Sequence, residues 1–324
     1  MKSKKQGYNL IQGLLRNSDS YTRLKAGRIA IGILVFLFCF NAYAESVAIT
    51  MDDPNTLHTP LMSARERDNA ILNTLNKNHL KIILFVHGDY VNSLEGKALL
   101  KRWNASGQTL GNHTYSHWDL EEVSLHDDES DFTRNEHMIA HYTHFQKVFR
   151  YPYLKEGDTV EKRDGFRAFL KAKHYRVGSV TIDASDWAIS DRLERALAKN
   201  PKTNLIPYKN YYLAHIWNRA QYYDQLAISV LGRSPKHILL IHHNLLNALF
   251  LNDLIQMFKQ HGWKVIDANN AYTDPVYQLV PKTLPAGESL IWALAKQTGK
   301  YDKQLRYPGE DESYETPGMD AAGL

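Results

Sequence analysis

The sequence predicts a largely parallel α/β sheet or barrel, and three observations carry that expectation. Apolar, β-branched runs recur along the chain, they alternate with stretches of helical spacing over more than 200 residues, and polar groups sit where the runs stop: Asp52-Asp53, His87, Asp183 and His242-His243. In folds of this class functional groups gather at the carboxyl ends of strands, so the third observation predicts one shared pocket.

Residues 1–44 stand apart from that pattern. Lys2, Lys4, Lys5, Arg16, Arg23, Lys25 and Arg28 precede an apolar run at 29–40, and Asn41-Ala42-Tyr43-Ala44 supplies the small residues of a cleavage site. This reads as a secretory signal peptide cut after Ala44, which makes the expected localisation periplasmic or secreted. The run of about twelve residues is short of the ~20 a spanning helix needs. An uncleaved N-terminal anchor is therefore the weaker reading, and no stable membrane insertion is expected after cleavage.

Seven of the 39 Lys+Arg and one of the 35 Asp+Glu fall in that leader, leaving 32 against 34 and a net charge near −2. The basicity belongs to the targeting segment, so nucleic acid is not an expected partner. Cys39, the single cysteine, also lies in the leader. The remaining chain has no disulfide, thiolate nucleophile or cysteine metal site, and its stability must come from a core.

The strands are expected at 47–51, 81–86, 175–180, 237–241 and 264–266, each a short β-branched or apolar run. The helices between them are expected at 61–78, 94–105, 131–149, 162–172, 192–198 and 248–261, from helical spacing or composition. Residues 45–274 then make one catalytic barrel. The tail at 275–324 carries Pro275, Pro281, Pro285, Pro308 and Pro317 with one helix at 288–298, and reads as an extension packed on the barrel.

The chemistry starts at Asp52-Asp53, which closes the first strand, and at the pair His113 and His117 about sixty residues on. One carboxylate with two imidazoles is the ligand set of a hydrolytic metal site, because it leaves positions open for water and substrate. The second carboxylate is then spare to move protons. Side chains alternate faces along a strand, but at a strand end turning into Pro54-Asn55 both carboxylates can reach one pocket. Taken singly, Asp-Asp before Pro-Asn is also ordinary turn chemistry, and a His pair four apart often just decorates a solvent-facing surface.

Three further segments follow: Arg150-Tyr151-Pro152-Tyr153, Asp183-Ala184-Ser185-Asp186-Trp187 and Leu239-Leu240-Ile241-His242-His243. In this order the five segments resemble the motifs of the polysaccharide deacetylases, carbohydrate esterase family 4, over 46–267. The resemblance implies a distorted (β/α) barrel holding one divalent metal ion, usually zinc, with Co2+ or another ion open. It implies removal of N-acetyl groups from a glycan containing N-acetylglucosamine, such as chitin oligomers or peptidoglycan. Asp53, His113 and His117 resemble the metal ligands, and Asp52 the catalytic base that takes a proton from the attacking water. Arg150 resembles the residue positioning that base, the Tyr153 amide an oxyanion donor, His242 the general acid and Asp186 its orienting partner. Trp187 and Leu240 resemble the walls of the acetyl pocket.

Several readings stay open beside these. On a buried strand Leu240 and His242 share a face and His243 takes the other, which favours His242 as the acid. His87 ends the second strand and is expected to line the pocket, or else to be structural. Tyr208, Tyr211, Tyr212, Trp217, Tyr222 and Tyr223 either stack on sugar rings or pack a core. Pro54 departs from the family's usual glycine, and since proline fixes φ and removes an amide donor, the loop after Asp53 must differ. The rival functions are hydrolysis of another amide or an O-acetyl ester on the same barrel, and glycan binding without turnover.

Overall fold

Both faces of a central parallel strand are covered, so such strands are apolar throughout, and the first strand is buried from Val47 to Asp52. The computed structural model describes residues 45–307 and 311–324. In chain order its elements are β1 (Ser46–Asp52), α1 (Ala64–Lys77), β2 (Ile83–Val86), α2 (Gly88–Val91), α3 (Leu94–Ala105), β3 (Thr109–Asn112), α4 (Leu125–Ile139) and β4 (Phe145–Phe149). A 3-10 turn at Pro152–Leu154 leads to β5 (Lys155–Gly157), α5 (Val160–Ala172), β6 (Arg176–Val177), α6 (Asp186–Lys199), α7 (Ile206–Leu231), β7 (Lys236–His242), α8 (Leu245–Gln260) and β8 (Lys264–Val265). Then come α9 (Ala268–Ala271), a second 3-10 turn at Pro275–Gln278, β9 (Ala286–Gly287), α10 (Leu290–Thr298) and α11 (Glu312–Ala321).

The main sheet runs β6-β4-β3-β2-β1-β7, all parallel, and β8 pairs with the first two residues of β1, which β2 does not reach. Beyond β7 the sheet continues through Ile182, which bridges Leu239, while the Thr181 and Ile182 amides both donate to the Ile238 carbonyl. The chain leaving β6 thus returns to the opposite edge and curls the sheet into a distorted (β/α) barrel. Register levels the strand ends: Asp52 lies beside Phe85 and His242, and Asn112 beside Val86 and Phe149. Residues that follow these positions emerge together at one rim.

Several expected elements change type or extent, among them the helix expected at 192–198, which spans Asp186–Lys199. The helix expected at 131–149 starts earlier, where the Ser124 hydroxyl caps the Asp127 amide, and ends at Ile139; Phe145–Phe149 is strand β4. Its Gln146 and Lys147 are exposed, so composition there is dominated by solvent, while Val148 and Phe149 are buried. The strand expected at 175–180 is reduced to Arg176–Val177. The aromatic stretch after α6 is a 26-residue helix, α7, in which Tyr208, Tyr212 and Tyr223 are buried in the core and Trp217 stacks on His261 at 3.8 Å. For these three tyrosines the core reading is the one the fold adopts.

The C-terminal segment joins the barrel at several points. β9 pairs antiparallel with β5, Arg163 and Arg167 donate to the Lys282 and Pro281 carbonyls, and buried Glu315 of α11 accepts from Arg219 of α7 at 2.6 Å. The leader expected at 1–44 lies outside the described residues. Among the described residues no helix is long and apolar enough to cross a membrane.

Gly178 fills a contact that no side chain can share. A Cβ there would stand 2.4 Å from Phe85 Cζ and 3.1 Å from the Phe149 carbonyl oxygen. The Phe85 ring is itself covered by the Arg150 guanidinium at 4.0 Å. Gly178→Ala is expected to destabilise by ~1–3 kcal/mol, the usual cost of overpacking, read as a lowered urea midpoint with an unchanged slope.

Candidate active site

The site grows from the end of β1. Asp52 is the last strand residue and Asp53 turns the chain with a left-handed φ of 55°, so consecutive carboxylates meet one cavity instead of opposite faces. Left-handed backbone is costly for residues other than glycine, and here it recurs around the pocket, at Thr114, His117, Tyr153, Leu154 and Ser185. A rigid surround must hold these conformations. Asn112 Oδ1 accepts from the Thr114 amide at 2.9 Å, and Asp131 accepts from the Tyr115 and Ser116 amides at 2.8 and 2.7 Å. The loop after Asp53 is held by buried Arg67, which donates to the Asn55 and Leu57 carbonyls and to Asn55 Oδ1.

Arg150 links the two halves of the site. Its Nη1 donates to Asp52 Oδ1 at 2.6 Å, its Nε to the Gly178 carbonyl at 2.9 Å and its Nη2 to the Tyr272 hydroxyl at 3.3 Å. Its own carbonyl faces His113 Nδ1 at 2.8 Å. A carbonyl only accepts, so Nδ1 carries the proton and Nε2 keeps a free lone pair. Burial, reinforced by His117, holds the His113 ring well below the usual imidazole range, which keeps it neutral.

That free Nε2 lies 3.2 Å from His117 Nε2 and 3.9 Å from Asp53 Oδ1, and Asp53 Oδ2 lies 3.7 Å from His117 Nε2. Two zinc-bound nitrogens in tetrahedral geometry stand about 3.4 Å apart, close to the observed imidazole spacing. Asp53 Oδ1 is buried without a hydrogen-bond partner, and one ligand atom from each of Asp53, His113 and His117 falls within 4.8 Å of the others. An orphaned buried carboxylate oxygen facing two neutral imidazoles fits a divalent cation. Burial opposes the Asp53 charge, but His117, His87 and His113 together hold its carboxyl well below the usual carboxylate range.

Across the pocket, His242 ends β7 beside Asp52. Its Nδ1 lies 2.8 Å from Asp186 Oδ1, and its amide donates to Asp186 Oδ2 at 3.1 Å. Asp186 is fully buried at the start of α6, and Oδ2 also accepts from Asn244 and Asn247 at 2.8 and 2.7 Å. Burial opposes protonation of His242, yet Asp186 and the two active-site carboxylates push it up to about 10. Burial raises the Asp52 carboxyl to about 6, although Arg150 and His242 pull the other way.

A cavity of about 200 Å³ is lined by Asp52, Asp53, His113, His117, Tyr151, Tyr153, Leu154, Trp187, Leu240 and His242. Leu240 and His242 share the inner face of β7. His243 points the other way, buried 3.5 Å from Asp68 and edge-on to Trp103. His87, expected to line the pocket, instead stands behind Asp53, its Nδ1 3.4 Å from Oδ1 and its ring stacked on His117 at 5.0 Å. Arg67, Asn247 and Tyr272 also hold the site and belong to none of the motif segments. Asn247 follows its partners closely enough to be suspected, whereas Arg67 and Tyr272 sit in ordinary helical and loop contexts.

A parallel barrel with an Asp-His-His cluster and an Asp-His pair at its carboxyl rim can hold a divalent cation beside proton-transfer groups. The family model for polysaccharide deacetylase matches residues 41–169 of this 324-residue chain. The peptidoglycan-N-acetylglucosamine deacetylase of Bacillus cereus is 26% identical over 143 residues, 44% of this chain and 46% of that one. The chain thus spans under half the length of that curated relative. Among solved structures, BA3943 of Bacillus anthracis, described as a family 4 carbohydrate esterase pseudoenzyme, superposes with a TM-score of 0.50 and 19% identity, covering 71% of this chain and 66% of that one. A BA3943 mutant described as having restored enzymatic activity gives 0.50 and 20%, covering 71% and 68%. These two likenesses bear on the fold.

Removing the Arg150 side chain leaves the Asp52 charge buried without its cation. Arg150→Met is expected to destabilise by ~3–5 kcal/mol, the usual cost of breaking a buried pair, measured by denaturant melts at pH 7. The loss should shrink toward pH 5, where Asp52 is protonated and needs no partner.

Proposed function

We propose that this protein is a divalent-metal-dependent deacetylase that removes N-acetyl groups from a glycan containing N-acetylglucosamine, in the periplasm or outside the cell. The observation that carries the proposal is the pairing of Asp52 and His242 as register neighbours on β1 and β7, with Asp53, His113 and His117 lining the same cavity. A glycan binder needs a shaped surface; it does not need a base and an acid poised around a cation site. Its relative in Bacillus cereus is named for deacetylation of peptidoglycan N-acetylglucosamine, which supports the substrate class.

Asp53, His113 and His117 would hold the cation, zinc being the leading candidate and cobalt an alternative. When bound, it supplies Lewis acidity toward the acetyl carbonyl and lowers the pKa of water in the pocket. Asp52, held by Arg150, accepts the proton of the attacking water; a carboxylate raised toward 6 is a better acceptor than an ordinary one. The Tyr153 amide, carried on a left-handed turn, is the donor assigned to the developing oxyanion. His242 delivers a proton to the departing amine, and Asp186 keeps its ring charged and oriented. Trp187 and Leu240 give the acetyl methyl an apolar wall. A cavity of about 200 Å³ has room for an acetyl group.

The decisive measurement is acetate release by the chain from Glu45 onward on N-acetylglucosamine oligomers and peptidoglycan. Acetate that vanishes with chelator and returns with zinc or cobalt is the expected result; none from any N-acetylated glycan, with metal bound, would overturn it. Release from O-acetylated sugars alone would transfer the activity to ester hydrolysis. Asp52→Asn should lower kcat by at least ~10²-fold, within the range for losing a general base, while metal binding is retained.

Activity requires Asp52 deprotonated and His242 protonated, so kcat should fall in acid as Asp52 gains a proton and in alkali as His242 loses one. Asp186 is what raises His242 against burial. Asp186→Asn should therefore move the alkaline limb to lower pH and leave the acid limb nearly in place, in a kcat profile from pH 5 to 10.

A further inference from the structure

A second, larger cavity lies where the β6 edge of the sheet, the end of α5 and the C-terminal segment meet. It encloses about 790 Å³, against about 200 Å³ at the cation site, and the two share Tyr151 and Leu154 as a common wall. Its body is apolar, built by Leu154, Leu170, Val180 and Leu290, while Leu279 and Val280 stand at its mouth, 44% and 62% exposed. β6 is only two residues long, so past Val177 the sheet edge has no strand to pair. The C-terminal segment bridges that opening: the Leu290 amide donates to the Val180 carbonyl at 2.8 Å, and the Glu288 amide to the Leu154 carbonyl at 3.0 Å. A mostly apolar cavity of this size with a few convergent polar groups is the usual form of a small-molecule site.

Its unsatisfied polar groups sit at two ends. Next to the cation site, the Tyr151 side chain is 2% exposed, yet its hydroxyl has no hydrogen-bond partner. Burial pushes this phenol well above its usual range, with Glu156 the next cause; Glu156 belongs to the larger lining, so the hydroxyl faces that cavity and stays a donor. Glu288 Oε2 is likewise buried without a partner, and burial beside Asp183 raises its carboxyl to about 8, so at neutral pH it carries no charge. At the other end stand Lys171 and Arg176. The remaining cations of α5 are matched, Lys162 with Asp158, Arg163 with Asp164 and Arg167 with Glu156. Among the described residues Lys171 pairs with no carboxylate, and Arg176 donates only to the side-chain carbonyls of Gln146 and Asn269. Val148 pairs with Arg176 and Tyr151 follows Val148 by three residues, which sets the ends roughly 10 Å apart along extended chain.

We propose that this cavity is a binding site for a small amphiphile with a carboxylate at one end and a hydroxyl at the other: Lys171 and Arg176 meet the carboxylate, Leu170, Val180 and Leu290 cover the aliphatic body, and Tyr151 and Glu288 bond the hydroxyl. Each part of the ligand answers a separate observation. Two unmatched cations repel a cationic ligand and receive an anion, and a wholly apolar ligand would leave the phenol and the carboxyl buried without partners, which is costly. The site stands apart from the glycan reading, because it uses neither the cation ligands nor the proposed base and acid.

The test is calorimetric titration of the full chain with 10-hydroxydecanoate, beside decanoate and 1,10-decanediol, each of which lacks one polar end. The hydroxy acid should bind at one saturable site, decanoate about three- to tenfold more weakly and the diol at least ~tenfold more weakly, the usual worth of a neutral and of a charged hydrogen bond. Tyr151→Phe should weaken the hydroxy acid about threefold and leave decanoate unchanged. Arg176→Gln and Lys171→Gln should weaken both acids and leave the diol unchanged, which ties each end of the ligand to its own residues. Lys171 is exposed, so its variant keeps the charge test open if Arg176→Gln fails to fold. No binding of the hydroxy acid by the wild type overturns the site, and so does a stoichiometry well above one, the mark of adsorption at the apolar mouth. Diol binding equal to that of the hydroxy acid, or full acid affinity in the charge variants, overturns the carboxylate end; decanoate binding equal to that of the hydroxy acid overturns the hydroxyl end. Loss of either end overturns the proposed ligand.

Discussion

One buried arginine sets the geometry on which the rest of the site depends. The Arg150 side chain fixes Asp52 and its carbonyl fixes the tautomer of His113, so a single residue orients the proposed base and one candidate cation ligand together. A buried guanidinium is costly unless its donors are used, and here they go to Asp52, the Gly178 carbonyl and the Tyr272 hydroxyl, with the Phe85 ring beneath. That arrangement explains why the barrel interior needs glycine at 178 and a tyrosine returning from beyond α9. The interior polar cluster is therefore a constraint on the core, and the core in turn has no freedom to let the cluster relax.

The second constraint is backbone strain gathered at one rim, with His79, His174 and Glu288 the other non-glycine residues of left-handed φ among the described residues. Asp53, Thr114, His117, Tyr153, Leu154 and Ser185 all take left-handed conformations, each at or beside a functional side chain. Such conformations cost of order 1 kcal/mol or more apiece and persist only when surrounding bonds over-determine them. Asp131, Asn112 and Arg67 supply those bonds from helices and strands, so the loops that carry chemistry are held by residues on rigid elements. Proline at 54 belongs to the same logic: with no amide to donate, the turn after Asp53 is held through Asn55 and Leu57.

What could be read from the sequence follows from how local each signal is. β1 and β7 are legible because their apolar runs stop abruptly at Asp52 and His242, and parallel pairing makes those stops coincide in space. β3, Thr-Leu-Gly-Asn, is not legible: its Gly111 is there because a Cβ would lie 2.9 Å from the Phe85 ring, and neither glycine nor asparagine favours strands. α7 escaped because its tyrosines and alanines are buried without a clean amphipathic stripe. The motif residues were legible as types in an order, and their meeting at one cavity follows from strand register. His87 shows the limit, since a position at a strand end does not say whether a ring faces the cavity or stands behind a ligand.

The neighbouring residues His242 and His243 make the same point in reverse, because identical side chains acquire opposite chemistry from the face they occupy. His243 is wholly buried, its protonation opposed by burial and by Arg67, and its ring faces Asp68, whose two oxygens are already taken by Arg102 and Trp103. His242 faces an Asp186 whose Oδ1 is kept for it while asparagine amides and a backbone amide neutralise Oδ2. One imidazole is thereby kept neutral in a wall and the other charged at a mouth. The strand's two-residue period alone separates them, and Asp52, beside His242 on β1, completes the acid and base proposed here.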